Sequence, residues 1–259
     1  MPEFSHSLAV VTGASAGIGR EFAEQMAARG HPLLLAARNE ARLGRAADEL
    51  HGRYGVSVRA LAADLAEDDG RERLARALEA EPEVGVLVNN AGFGTKGTIH
   101  TTPLDAQMRM LRLHVLTPMR LCRAVLPGMV SRGRGWIVNV SSIAGYMYGP
   151  GNANYCATKA YLTRFTLALD TELQRTGVRV QALCPGFTHS EFHDRMEIDK
   201  RTIPAFLWMD AERVVRESLR AVARGRPVAF TPGIRNRLMT MFVEMLPHAL
   251  VRRGRRGGE

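Results

Sequence analysis

The sequence predicts an α/β fold: a single doubly wound parallel sheet with helices on both faces. Two observations carry that prediction. Short, continuously apolar segments alternate with helical ones over the first two thirds of the 259 residues, the pattern of strands buried on both faces. A glycine-rich turn, Thr12-Gly13-Ala14-Ser15-Ala16-Gly17-Ile18-Gly19, joins the first strand to the first helix. Right-handed crossovers between parallel strands then make the sheet Rossmann-type.

The elements follow in order. Leu8–Thr12 is an apolar strand, and Ile18–Arg29 a helix stopped by Gly30. Pro32–Ala37 is the second strand and Glu40–Tyr54 the second helix. Val56–Ala62 alternates as a strand, and Asp69–Ala80 is helical. Val84–Asn89 is a strand closed by Asn90-Ala91-Gly92. Leu104–Leu126 reads as a long helix containing Pro118, followed by a strand at Trp136–Val140. Tyr155–Arg175 is a helix and Val178–Cys184 a strand. After Cys184 the pattern loosens. Phe187–Met209 mixes aromatic and charged residues and reads as a flap. Asp210 caps a helix through Arg224. Val228–Phe230 is a last strand, and Met239–Leu250 an amphipathic stretch broken by Pro247. With no repeat, low-complexity tract or linker, residues 1–259 read as one catalytic domain, with a flap at about 187–209 and a basic tail at about 234–259.

Three motifs carry chemistry. Glycines let the turn at 12–19 approach a pyrophosphate, and the helix behind it offers free N–H groups to negative charge. No Lys-Ser/Thr follows, which excludes a P-loop. The second strand ends Ala36-Ala37-Arg38, with no acid for a ribose 2′-hydroxyl; an arginine there suits a 2′-phosphate, hence NADP(H). Tyr155 and Lys159 stand at i, i+4 on one helix face. The chain has only three lysines, Lys96, Lys159 and Lys200, so this pairing is rarely a matter of chance. An ammonium beside a phenol is expected to lower its pKa and make it an acid/base. Ser142, thirteen residues earlier, follows a strand end that faces the same crevice as the glycine turn.

TGASAGIG at 12–19, Asp64, NNAG at 89–92, Ser142, the YxxxK at 155–159 and Pro185-Gly186 resemble the short-chain dehydrogenases/reductases over about residues 7–190. The stretches GHPLLLAARNEARL, NNAGFG and CPGFTHSEF are most similar to the general ketone and acyl reductases of that family. The resemblance implies roles for individual residues. Gly13, Ser15, Ala16, Gly17, Ile18 and Gly19 would line the pyrophosphate, and Ser15 and Arg38 would hold the 2′-phosphate. Asp64 and Leu65 would flank the adenine, and Asn90, Ala91 and Gly92 its ribose. Tyr155 would exchange a proton with the substrate oxygen that Ser142 holds. Lys159 would bind the nicotinamide ribose, and Pro185, Gly186 and Thr188 would fix the nicotinamide. The resemblance also implies pairing of the Tyr155 helix across a two-fold axis. The sequence departs from the family at His114, where an asparagine normally completes the proton relay. Pro118 leaves the His114 carbonyl without its helical donor, so a water held there is expected to serve the relay, and two readings stay open for the imidazole, a second titrating group or a packing residue.

Composition bounds the rest. Three cysteines, Cys122, Cys156 and Cys184, without CxxC spacing argue against disulfides and against a metal site. No apolar run spans a bilayer and no signal peptide is legible, so the expected place is the cytoplasm. The net charge is +9, and from Arg201 onward twelve Lys/Arg face five Asp/Glu, a surplus of +7. No aromatic-lined basic face accompanies it, so no nucleic-acid partner is expected. Met239, Met241, Phe242, Met245 and Leu246, followed by Arg252, Arg253, Arg255 and Arg256, suggest weak peripheral membrane contact. Phe187, Phe192, Met196, Ile203, Phe206, Leu207 and Trp208, with Tyr146, Met147 and Tyr148, suggest an apolar carbonyl or alcohol substrate. Ala157, Ala160, Tyr161, Leu162, Phe165, Leu167, Ala168 and Leu169 make the Tyr155 helix apolar nearly all round, which predicts a homodimer or homotetramer. A non-catalytic NADP(H) sensor is the alternative, with His114 its only support.

Overall fold

The computed structural model describes residues 6–95, 97–147, 151–191 and 203–245. The strands β1 (Leu8–Thr12), β2 (Leu33–Ala37), β3 (Val58–Ala62), β4 (Val84–Asn89), β5 (Gly135–Val140), β6 (Val178–Leu183) and β9 (Ala229–Phe230) form one parallel sheet. Their order is β3-β2-β1-β4-β5-β6-β9. The order reverses between β1 and β4, and a crevice opens there at the carboxyl ends of the strands.

Alternating side chains of the central strands feed two cores. Ala9 and Val11 point to the face covered by α1 (Gly17–Ala27), α2 (Glu40–Tyr54) and α7 (Ala211–Ala223), where Phe22, Leu43 and Leu219 are fully buried. Leu8 and Val10 point to the opposite core, closed by α3 (Asp68–Glu79), α5 (Thr117–Ser131) and α6 (Ala153–Glu172) through Leu74, Leu121 and Leu169. A buried polar chain runs through that second core. The Asn89 amide donates to Asn139 Oδ1 at 2.8 Å, Asn139 donates to Thr166 Oγ1 at 2.9 Å, and Thr166 donates to the Leu162 carbonyl at 2.7 Å. Apolar packing alone would let α6 slide; this chain fixes its height on the sheet.

Several elements differ from expectation. The helix expected over Leu104–Leu126 is a rod in three parts: α4 (Leu104–Leu111), a π-helical turn at Arg112–Leu116, then α5, which passes through Pro127 to Ser131. Pro118 has no N–H to give. The wide turn precedes it, with the Thr117 N–H reaching the Arg112 carbonyl five residues back. The Thr117 hydroxyl donates to the Leu65 carbonyl at 2.6 Å, tying this turn to the loop after β3. The helix of Tyr155 begins earlier, at Ala153, and ends at Glu172. In the flap, β7 (Thr188–His189) pairs in parallel with β8 (Met209–Asp210), while Phe192 and Met196 lie outside the described residues. Of the amphipathic stretch expected at Met239–Leu250, residues 239–245 belong to a helix that begins earlier, α8 (Ile234–Met245), and the rest, with the arginines beyond, lies outside the described residues. No helix among the described residues is long and apolar enough to cross a membrane.

Candidate active site

The glycine turn is held against the end of β4. The Thr12 hydroxyl accepts the N–H groups of Asn90 at 2.9 Å and Ala91 at 3.0 Å, and the Asn90 amide donates to the Thr12 carbonyl at 2.9 Å. This clasp leaves no room for side chains. A Cβ on Gly13, whose φ is +66°, would lie 2.7 Å from the Asn90 amide nitrogen, and one on Gly19 would lie 2.4 Å from the Gly13 carbonyl oxygen. No side chain caps the N-terminus of α1, so its first N–H groups face the crevice.

That crevice is a cleft of about 670 Å³. One end holds Ala37, Arg38, Asp64 and Leu65, the middle holds Gly13, Ser15, Ala16, Gly17 and Ile18 with Asn90, Ala91 and Gly92, and the other end holds Ser142, Tyr155, Lys159, Pro185, Gly186 and Thr188. Of the expected site residues, Gly19 and His114 stand outside the lining. Gly19 packs beneath the turn and His114 lies behind Gly92. Length, glycine cradle and helix N-terminus fit an extended dinucleotide. Arg38 is exposed at the adenosine end, with no protein hydrogen bond or ion pair among the described residues. Asp64 is engaged: its carboxylate accepts the Ala66 N–H at 3.0 Å and the Arg109 guanidinium at 2.6 Å. No cluster of three or more metal-ligating side chains occurs among the described residues.

At the reactive end, Ser142 caps a 3₁₀ turn (Ile143–Tyr146), its hydroxyl accepting the Ala144 N–H at 3.1 Å. A Cβ on Gly145 would meet the Lys159 backbone at 2.9 Å, so glycine there lets the turn lie directly on α6. Lys159 Nζ donates to the Val140 carbonyl at 2.8 Å and stands 5.8 Å from the Tyr155 ring centre. The expected lowering of the Tyr155 pKa by Lys159 is not found. Burial pushes the Tyr155 phenol up to about 12, partly offset by a hydrogen bond with Ser142. Burial likewise pushes Lys159 down to about 8. Desolvation moves both groups towards their neutral forms, yet with a pKa of about 8 Lys159 still carries its proton at pH 7.

For His114 the sequence leaves two readings open, a titrating group and a packing residue. Its Nε2 accepts the Phe93 N–H at 3.2 Å, and its Nδ1 lies 3.0 Å from Thr158 Oγ1, which in turn donates to the Tyr155 carbonyl at 2.9 Å. The chain leaves one consistent tautomer, with Nδ1 protonated. Burial, then the Lys159 charge, holds the imidazole far below its usual pKa. Both ring nitrogens are thus satisfied, as the packing reading expects. Its carbonyl lies in the π-helical turn.

The sequence reading missed Arg42 and Glu191. Arg42 N–H is accepted by the α2 cap Asn39 at 2.9 Å, and its guanidinium grips the Glu191 carboxylate, one contact at 2.8 Å. Both line the cleft, so the pair bridges its mouth from α2 to the flap. Arg42 was legible as one helical turn beyond Arg38; Glu191, 149 residues away, was not. Of the apolar residues expected from the flap and the serine loop, none of the described ones lines the cleft. Phe187 packs on Trp208, whose ring stacks on His189. Tyr146 and Met147 line a separate cavity of about 890 Å³ behind the 3₁₀ turn. Tyr148 lies outside the described residues.

A family model described as short chain dehydrogenase matches residues 7–201. The very-long-chain 3-oxoacyl-CoA reductase of Laccaria bicolor is 40% identical over 187 residues, 71% of this chain and 55% of that one. This chain thus spans little more than half the length of that relative. An uncharacterized oxidoreductase of Myxococcus xanthus is 38% identical over 192 residues, 74% of this chain and 76% of that one. Among solved structures, a short-chain dehydrogenase from Sphingobium yanoikuyae in complex with NADPH superposes with a TM-score of 0.83 at 31% identity, covering 94% of this chain and 97% of that one.

The His114 geometry predicts an imidazole that stays neutral as the pH falls through 6.5, in the Nδ1–H form. Its folded pKa lies below the unfolded value of 6.5. Its contribution to stability is therefore complete above that value and is lost as pH falls below it. Ring nitrogen shifts measured by NMR across that pH check it; a His114 titration near pH 6.5 contradicts it.

Proposed function

The chain belongs to the short-chain dehydrogenase family, and on that premise we propose an NADP(H)-dependent oxidoreductase that interconverts a hydrophobic ketone and its alcohol. The observation that carries this reading is one cleft with Arg38, unpaired among the described residues, at one end and Ser142, Tyr155 and Lys159 at the other. The nicotinamide cofactor supplies the hydride. Gly13 to Gly19 hold its pyrophosphate, and Arg38 and Ser15, with Arg42 nearby, hold the 2′-phosphate. Lys159 holds the nicotinamide ribose, and Pro185, Gly186 and Thr188 orient the ring.

In the reducing direction the carbonyl carbon takes the hydride and the carbonyl oxygen takes the phenolic proton of Tyr155. A phenol held protonated to about pH 12 is loaded for donation at neutral pH. Ser142 takes the Ala144 N–H on one lone pair, and its hydroxyl, hydrogen-bonded with Tyr155, turns its hydrogen to the substrate oxygen when that oxygen enters between them. Lys159, with a pKa of about 8, stabilises the phenolate as it forms and returns a proton near neutral pH. His114 acts as a positioning residue, joining the Phe93 loop to α6. The carbonyl at 114, next to Pro118, keeps a water site for the relay.

The relatives named for very-long-chain 3-oxoacyl-CoA reduction make long-chain 3-oxoacyl thioesters the first substrate class to test, in keeping with Phe93 and Leu113 on the cleft wall. The buried thiols of Cys122, Cys156 and Cys184, none of them in a disulfide, suit the cytoplasm. We read residues 1–259 as one catalytic unit that pairs through α4 and α6. Leu104, Met108 and Leu111 form an exposed apolar stripe on α4, and Tyr161 is exposed on α6 with its ring stacked on Phe165.

Arg38→Asp is expected to weaken NADPH binding about 10- to 100-fold, the worth of a charge-assisted contact, while changing NADH binding little. Fluorescence titration measures both, and equal wild-type affinity for the two cofactors overturns the Arg38 reading. Tyr155→Phe is expected to cut kcat at least about 100-fold and leave the NADPH Kd within a few-fold. A variant with a tenth of the wild-type rate, or a wild type that binds NADPH but reduces no ketone, removes the catalytic assignment. Light scattering at micromolar concentration is expected to give the mass of a dimer or tetramer; a monomer refutes the pairing of α4 and α6.

A further inference from the structure

Helix α8 is built inside out. Asn236 and Thr240 are its buried residues, only 3% and 5% exposed, while Ile234, Leu238, Met241 and Phe242 stand 62%, 59%, 56% and 64% exposed. At about 100° per residue the four apolar side chains fall within roughly a quarter of the helix circumference, and the two buried polar ones lie opposite. The inward polar groups have partners. The Asn236 amide donates to the Pro232 carbonyl at 3.3 Å and meets Met209 Sδ at 3.4 Å; the Thr240 hydroxyl donates to the Arg237 carbonyl at 2.9 Å. Met239, expected on the outer strip, is half-buried on the inner flank.

A row of large apolar side chains held in water by a helix whose polar side is already docked needs a partner. Charge decides which. Arg235 and Arg237, both exposed, flank the stripe on either side, with Glu244 the one acid in the helix sequence. Arg235 also lies over the ring of Phe206, itself 60% exposed, which widens the apolar patch beyond the helix. The surplus of positive charge from Arg201 onward points the same way. Twelve residues make a helix of about 18 Å, too short to span a bilayer but suited to lie in its surface.

We propose that α8 is an in-plane docking helix that seats this protein on an anionic lipid bilayer through Ile234, Leu238, Met241 and Phe242, with Arg235 and Arg237 on phosphate headgroups. A second copy of the chain is the poorer occupant, because a two-fold contact sets these arginines against their own equivalents. The seat lies beside the reactive end of the cleft. Asn236 presses on Gly186, where an added Cβ would come within 2.6 Å of its amide nitrogen, and α8 packs on the 3₁₀ turn that follows Ser142. The inference does not depend on the reading of the chemistry.

The test is sedimentation of the full chain with vesicles of phosphatidylcholine alone and of phosphatidylcholine mixed with phosphatidylglycerol, at low and high salt. Binding to the mixed vesicles is expected to exceed that to neutral ones at least about tenfold at low salt and to fall with salt. The pair Leu238→Glu and Phe242→Glu removes it, and Arg235→Gln with Arg237→Gln weakens it. NADPH fluorescence and the melting temperature, unchanged in both pairs, show intact protein. Equal binding to the two vesicle types, or none, overturns the proposal. So does a drop in oligomer mass in the Glu pair without vesicle binding by wild type, which assigns the stripe to a second copy. Vesicle binding that arises only after removal of residues 246–259 assigns it to the chain's own tail and overturns it likewise.

Discussion

Everything in the site hangs on how closely the ends of β1 and β4 approach. These neighbours lie where the strand order reverses, and the crevice between their outgoing loops is the one place where the sheet offers a ligand both halves of the fold. The Thr12 hydroxyl and the Asn90 amide close the bottom of that crevice with hydrogen bonds to each other's backbone. Gly13 and Gly19 are glycines because Asn90 and the Gly13 carbonyl occupy the space that side chains would need. A single clasp thus dictates the glycine spacing, sets the floor of the cleft and aims α1 at it.

The reactive end is governed by desolvation. Tyr155 and Lys159 are both almost wholly inside the protein. Burial raises the phenol to about 12 and lowers the ammonium to about 8, so near physiological pH both keep their protons. The price is structural: a buried lysine must find an acceptor, and it takes the Val140 carbonyl at the end of β5. The polar chain from Asn89 through Asn139 to Thr166 then sets the height of α6, and with it the position of both groups. His114 finishes the packing from the other side, its edge turned to the Tyr155 ring at 5.8 Å.

Legibility in the sequence followed the range of the forces involved. Helix α2 was read to the residue because both its ends are local: Asn39 caps the first turn and Gly55 leaves it at φ +68°. The strand Val84–Asn89 was equally plain, an apolar run ending at a turn. The triad of Ser142, Tyr155 and Lys159 was legible because a helix turn and a strand end fix its spacing. What escaped depends on distant partners. Desolvation of Tyr155 comes from the whole surrounding fold and overrode the neighbouring lysine. The π-helical turn owes its form to Pro118 and to the Thr117 hydroxyl on Leu65. The polarity of α8 was misplaced because its inner face is chosen by Met209, Pro232 and Gly186, none of which its own periodicity reveals.

The bridge between Arg42 and Glu191 has a consequence for the tempo of exchange. Both side chains remain more than a third exposed, and ion pairs of that kind contribute roughly 0–1 kcal/mol. One kcal/mol is a factor of about five between shut and open. A mouth so weakly fastened spends a sizeable fraction of its time open. For a protein whose dinucleotide must be swapped after each hydride, that is useful: a stronger fastening would slow departure by the factor it gained in retention. Salt, which loosens the bridge further, then acts on residence time more than on the chemistry at the far end of the cleft.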